Sequence, residues 1–245
     1  MRIEIAILAL AAALVGPSSL DGERTPPQEA TVDATTDLDA LEQRLADEPD
    51  SLEAGNRYRL AVIRGRQYDR CLAFFDRLVA YHPDAANAHL NYGFAYVDKI
   101  PTVGAVRQVI LANSALGEFT RAVELNPTWV TYYTRGTGYL FWPPIFGRAP
   151  LGIADLEHAL DLQRGKTLRS YHVRAFISLG DGYWRLHRPD RARELWAEGA
   201  RLFPDNHALK SRLSADAERL TTIIDDAFDP TRRVDTDLRE LWSQP

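Results

Sequence analysis

Residues 173–206 read VRAFISLGDGYWRLHRPDRARELWAEGARLFPDN, and eight of these residues decide the fold. Counted from Val173, residues Phe176, Leu179, Gly180, Tyr183, Ala192, Trp196, Gly199 and Pro204 stand at positions 4, 7, 8, 11, 20, 24, 27 and 32 of a 34-residue unit. The spacing predicts two short helices packed antiparallel. Large side chains at 4, 7, 11 and 24 fill the space between the helices. Small residues at 8, 20 and 27 let the backbones approach, and proline at 32 stops the second helix.

The same skeleton runs backwards along the chain. Pro49 and Pro83 are 34 residues apart, one repeat. In the unit ending at Pro83, Cys71, Phe75 and Leu78 suit the second helix, and Tyr58 and Val62 suit the first. Gly55 and Arg59 at positions 4 and 8 do not fit. Leu38, Leu41 and Leu45 before Pro49 read as a lone second helix, an N-terminal half-repeat. The unit ending at Pro127 opens with His89, Tyr92, Gly93 and Tyr96 and closes with Ala115, Phe119 and Ala122, with ten extra residues between. A helix start at Pro101-Thr102 and the stripe Val103, Val106, Ile110 predict a second helix longer by about 15 Å. In the next unit Tyr132, Gly136, Tyr139, Gly152, Leu156 and Ala159 fit, around an inserted loop, FWPPIFGRAP, at 141–150. Leu209, Leu213, Leu220 and Ile224 predict one amphipathic helix over 206–227 that caps the array.

Composition is that of an ordinary globular chain: 45% hydrophobic, 26% charged, net charge −5. No basic stripe is present, so nucleic acid is not an expected partner. Arginine outnumbers lysine 26 to 3, in line with an Arg- and Ala-rich genome. Ile5 to Val15 form an 11-residue apolar run followed by Gly16-Pro17-Ser18-Ser19. Such a run is too short to span a bilayer core of about 30 Å, and reads as a secretory signal over 1–18. Membrane contact is expected only if this segment stays uncleaved. The single cysteine, Cys71, lies far from the run, so a lipoprotein is not expected, nor is an intrachain disulfide. The expected location is periplasmic or secreted. Residues 19–36 lack periodicity and read as a flexible linker, 37–227 as the repeat domain, and 228–245 as a tail with a short helix ending at Leu241-Trp242.

Over 37–227 the chain resembles the tetratricopeptide-repeat family, most closely at 173–206 and well at 86–127. The resemblance implies an all-α fold: a right-handed α-solenoid of stacked helix-turn-helix repeats, about 52–85, 86–128, 129–166 and 173–206, ending in the capping helix. It implies a concave groove lined by the first helix of each pair, recognition of proteins or peptides, and no catalysis. Carried over position by position, the groove holds Glu53, Asn56, Leu60, Ile63 and Arg64, then Asn87, Leu90, Phe94, Val97 and Asp98. The third unit contributes Val130, Tyr133, Thr137, Leu140 and Phe141, and the fourth Arg174, Ile177, Asp181, Trp184 and Arg185. There is a looser likeness to secreted bacterial repeat proteins that accompany solute transporters.

About half of these groove positions are apolar or aromatic, with basic residues only at the ends. That favours an amphipathic helix or peptide of a partner protein over a carboxylate-bearing ligand. An apolar small molecule is the alternative occupant. The candidate binding residues are Leu60, Leu90, Phe94, Tyr133, Leu140, Phe141, Arg174, Ile177, Trp184 and Arg185, with Trp142 and Phe146 of the inserted loop. A competing reading has the groove filled by the chain itself, through the 102–113 helix, the 141–150 loop or Leu241-Trp242. Trp142 and Phe146 either present an apolar surface or fold beneath the loop. No metal or cofactor is expected: the six histidines are scattered without ligand spacing, and no nucleophile elbow or phosphate loop occurs.

Overall fold

The computed structural model describes residues 29–229 and 232–242, and the secretory signal expected at 1–18 lies outside them. Eleven α-helices and no strand are present among the described residues. Helix α1 spans Glu29–Asp47, α2 Leu52–Gly65, α3 Tyr68–Tyr81, α4 Ala86–Lys99, α5 Ala105–Leu125 and α6 Trp129–Leu140. The chain continues through α7 Ala149–Gln163, α8 Val173–Arg185, α9 Pro189–Leu202, α10 His207–Ser214 and α11 Ala217–Ala227. Pairs α4/α5, α6/α7 and α8/α9 pack tightly, and α3 on α4 and α7 on α8 join successive pairs. The architecture is an α-solenoid of helical repeats.

The skeleton read from the sequence does the packing expected of it. A Cβ built on Gly180 would lie 2.2 Å from Trp196 Nε1, and one on Gly93 would lie 2.3 Å from the Phe119 ring. Only glycine lets the two helices of these units meet at that distance. Gly136 likewise meets Leu156, and Trp196 and Leu156 are fully buried in consequence. Three apolar clusters follow the repeats. The first joins Leu38 and Leu45 of α1 to Tyr58, Phe74 and Phe75. The second centres on Leu90, Leu116, Phe119 and Trp142, and the third runs from Leu140 through Trp196 to Phe228. Cys71 is buried in the first cluster, where burial pushes its thiol pKa up and leaves it a packing residue.

Three features differ from the sequence expectation. Helix α1 begins at Glu29, inside the stretch expected to be a linker. Pro101 is the middle residue of a short 3-10 turn, Ile100–Thr102, and the lengthened helix starts only at Ala105, for 21 residues. The expected capping helix over 206–227 is two helices. Ala215 and Asp216 are extended, and the Asp216 carboxylate accepts the Arg219 N–H at 2.9 Å, an N-cap that restarts the chain as α11. The break was hidden because Leu213 and Leu220 are seven residues apart, so the apolar phase carries across it. Leu220 and Ile224 still bury against the last pair and cover its apolar face. Asp216→Ala is expected to cost about 1 kcal/mol, seen as a lower urea midpoint with faster amide exchange confined to α11.

Candidate functional site

The first helices α2, α4 and α6 line the inner face of the array, and the C-terminal segment 232–242 returns across it. That segment is anchored through Arg59. Its guanidinium has five N–H donors, and all five are used. Nε donates to Asn91 Oδ1 at 3.1 Å, Nη1 to Asp98 Oδ2 at 2.9 Å and to Thr236 Oγ1 at 3.0 Å. Nη2 donates to Asn56 Oδ1 at 3.0 Å and to the Thr236 carbonyl at 2.9 Å. The Thr236 hydroxyl in turn donates to Asp98 Oδ1 at 2.5 Å. Asn56 completes the grip, accepting the Leu238 N–H and donating to Asp237 Oδ1, both at 3.1 Å. Arg59 is fully buried and Asp98 nearly so, and the guanidinium sits 4.8 Å from the centre of the Phe94 ring.

This network explains the misfit of the first repeat. Gly55 leaves room for Asn91, whose Nδ2 would be 2.2 Å from a Cβ there. Arg59, at a position meant for a small residue, reaches inward to the tail. Asn56 and Asp98 were among the groove positions drawn from the resemblance. Arg59 and Thr236 were not, and the signal for Arg59 was its charge at a small-residue position.

Beyond Leu238 the segment runs over α6 and α8, where Glu240 pairs with Arg174 at 2.8 Å. Between it and the helices lies a cavity of about 360 Å³. Phe94 and Val97 of α4, Ala112 and Phe119 of α5, and Tyr133, Thr137 and Gly138 of α6 line it. Phe141, Trp142 and Phe146 close one side, and Val234, Leu238 and Leu241 of the tail form the roof. The lining is overwhelmingly apolar.

The sequence-derived candidates divide. Phe94, Tyr133, Phe141, Trp142, Phe146 and Arg174 are brought together around the cavity. Leu60, Leu90, Leu140, Ile177, Trp184 and Arg185 do not line it. Leu90 and Leu140 are fully buried in the cores, because the helix faces that carry them turn to their neighbours. Trp184 and Ile177 pack on the last cluster, and Arg185 donates to the Leu140 carbonyl and lies over the Phe228 ring. Leu60 is half-buried on α2, outside the cavity.

The inserted loop satisfies both of its readings in part. Trp142 is buried, with the Arg148 guanidinium stacked 3.7 Å from its ring centre. Phe146 sets its edge on Trp142 and is half-exposed, while Ile145 is 89% exposed. Across the mouth, the overhanging first turns of α5 expose Val106, Val109 and Ile110. The tail thus fills one end of the groove and roofs the other, leaving an apolar cavity with an apolar rim.

Two of the histidines, His89 and His158, hold structural places. His89 is bracketed by Glu118 at 2.6 Å and the Pro83 carbonyl at 3.1 Å, and His158 lies against the Tyr132 ring. Among the described residues no group of three His, Cys, Asp or Glu side chains is placed to hold a metal ion.

No protein-family model matches the chain. Solved structures do resemble it. The tetratricopeptide-repeat protein TTC0263 of Thermus thermophilus is 21% identical, over 79% of this chain and 93% of that one, with a TM-score of 0.55. YrrB, described as a tetratricopeptide-repeat protein with an unusual peptide-binding site, is 16% identical over 83% and 96%, with a TM-score of 0.50. MamA of Desulfovibrio magneticus is 18% identical over 73% and 90%, also at 0.50. These likenesses establish the tetratricopeptide-repeat fold of the chain.

Proposed function

We propose that this chain is an exported, non-enzymatic scaffold that binds a partner protein by taking apolar side chains of a helix or peptide into the cavity beneath its C-terminal segment. The observation that carries this reading is the continuity of the apolar cavity with an exposed apolar rim. Phe146 and Val109 line the cavity and are exposed, and Ile145, Val106 and Ile110 extend the surface outward. Exposed apolar side chains gathered at the mouth of a cavity favour a protein partner, whose anchor enters while its flanks cover the rim. The description of YrrB as carrying a peptide-binding site is in keeping with such a use of the fold. The apolar run Ile5–Val15 supports export to the periplasm or beyond.

A photo-crosslinking residue at Val109 tests this. It is expected to capture a discrete partner, while the same residue at Tyr81, exposed outside the cavity, captures none. Ala112→Trp, which fills the cavity, is expected to abolish the Val109 product. Undiminished labelling in Ala112→Trp would remove the cavity from the function.

The cavity's volume supports a second reading, an apolar small molecule delivered to a transporter, because small-molecule sites begin at about 300 Å³. Native mass spectrometry of the purified chain separates the two: a retained apolar compound lost in Ala112→Trp favours the small molecule.

A further inference from the structure

We infer that residues 234–240 occupy a peptide-recognition site, and that the site takes from a partner protein an extended segment of the same chemistry: Thr or Ser, then Asp, then Leu. The tail then competes with the partner for its place. This rests on the protein-scaffold reading and names the partner's recognition segment, at the end of the groove next to the apolar cavity.

The argument starts from what holds the tail. Two of its bonds go to main-chain groups: the Thr236 carbonyl accepts from Arg59, and the Leu238 N–H donates to Asn56. Side chains that reach from a helix face to the carbonyl and N–H of an extended strand are the means by which a groove holds polypeptide irrespective of its source. The remaining bonds select side chains. The hydroxyl of Thr236 is both acceptor for Arg59 and donor to Asp98, a pairing that only Ser or Thr supplies without added bulk. Asp237 takes the Asn56 amide, and Leu238 is buried at the wall of the cavity that Val97 and Phe94 also line.

The occupant is what pairs these groups. Without it, Arg59 loses two acceptors and Asp98 loses a donor, on side chains that are 0% and 3% exposed with the tail in place. Emptying the site leaves them to water, whereas a segment that presents the same atoms in place of the tail keeps them paired. The rest of the tail is held less firmly. The Glu240–Arg174 pair is about one-third exposed on both sides, Arg232 pairs at the surface with Asp226 and Asp229, and Arg233 and Asp235 are exposed. Exposed pairs contribute little, so a partner that also fills the adjoining apolar cavity has an advantage the tail lacks.

The test uses the full chain and a labelled peptide of residues 232–242. Thr236→Ala with Leu238→Ala in the chain weakens its own tail, and the peptide is expected to bind this variant at least about tenfold more tightly than the unaltered chain. A peptide carrying valine for Thr236 is expected to lose at least about tenfold, because it leaves Arg59 and Asp98 unpaired. Adding Asn56→Ala to the weakened chain is expected to lower affinity for either peptide. In the unaltered chain, excess peptide is expected to speed amide exchange at Leu238, a readout that does not depend on any variant folding. Equal binding to both chains overturns the inference, as does tolerance of the valine peptide or unchanged exchange at Leu238. Dimerisation of the chain with loss of peptide binding assigns the site to a second copy and overturns it as well. Undiminished Val109 labelling in Ala112→Trp concerns the cavity alone, so the two proposals fail separately.

Discussion

Asp98→Ala is expected to destabilise the protein by about 3–5 kcal/mol, the penalty for leaving a buried charge without its partner. Arg59 is fully buried, and its neighbours Asn56, Asn91 and Thr236 are neutral, so Asp98 is the carboxylate that the network supplies to it. Removing Asp98 also strips the acceptor from the Thr236 hydroxyl. The damage therefore reaches beyond α4. Amide exchange at Leu238 is expected to rise together with the drop in urea midpoint. Asp98→Asn keeps one acceptor, the amide oxygen, for the Arg59 guanidinium, sets an N–H donor where the other carboxylate oxygen stood, and is expected to cost less than the alanine. A loss below about 1 kcal/mol in Asp98→Ala would mean that Arg59 finds water and that the network is not sealed.

Gly180→Leu is expected to unfold the last repeat. The first added carbon would sit 2.2 Å from Trp196 Nε1, and that indole is fully buried in the third apolar cluster, beside the Trp184 ring and with its N–H donated to the Ile177 carbonyl. Overpacking of this kind costs typically about 1–3 kcal/mol, and three further carbons place it at or above the upper end. Repeat arrays fold as units plus nearest-neighbour interfaces, so the first cluster around Phe75 should survive. Limited proteolysis is expected to leave an N-terminal fragment while α8 to α11 are digested. Thr236 and Leu238 would leave the groove in the same variant, because they follow α11 in the chain. Unaltered thermal stability would show that Gly180 does not face Trp196.

Most of the fold was legible because its determinants are local. A glycine at position 8 and a large residue at 24 belong to one helix pair, and the tight contacts at Gly180 and Gly93 are read directly from that spacing. The break between α10 and α11 escaped the pattern because leucines seven residues apart keep helical phase through a two-residue interruption. Asp216, with Glu218 following it, was the available sign of a new helix start. The candidate site was legible by halves. Phe94, Tyr133, Phe141 and Arg174 follow from groove positions of the repeat, and Trp142 and Phe146 of the inserted loop join them at the cavity. Leu90 and Leu140 carry the same apolar character into the cores, and periodicity alone does not say which side of a crowded helix a leucine faces.

By itself the sequence determined the helix pairs and their order, since residues within one 34-residue unit must satisfy one another whatever lies elsewhere. Only the tertiary structure decided what occupies the groove. Arg59 and Thr236 are 177 residues apart. The first looks like a misfit in its repeat and the second like a polar residue in a tail. Nothing local links them. Their bond exists because the solenoid's curvature brings the far end of the chain over the inner face of its first repeat, where a buried guanidinium needs two more acceptors.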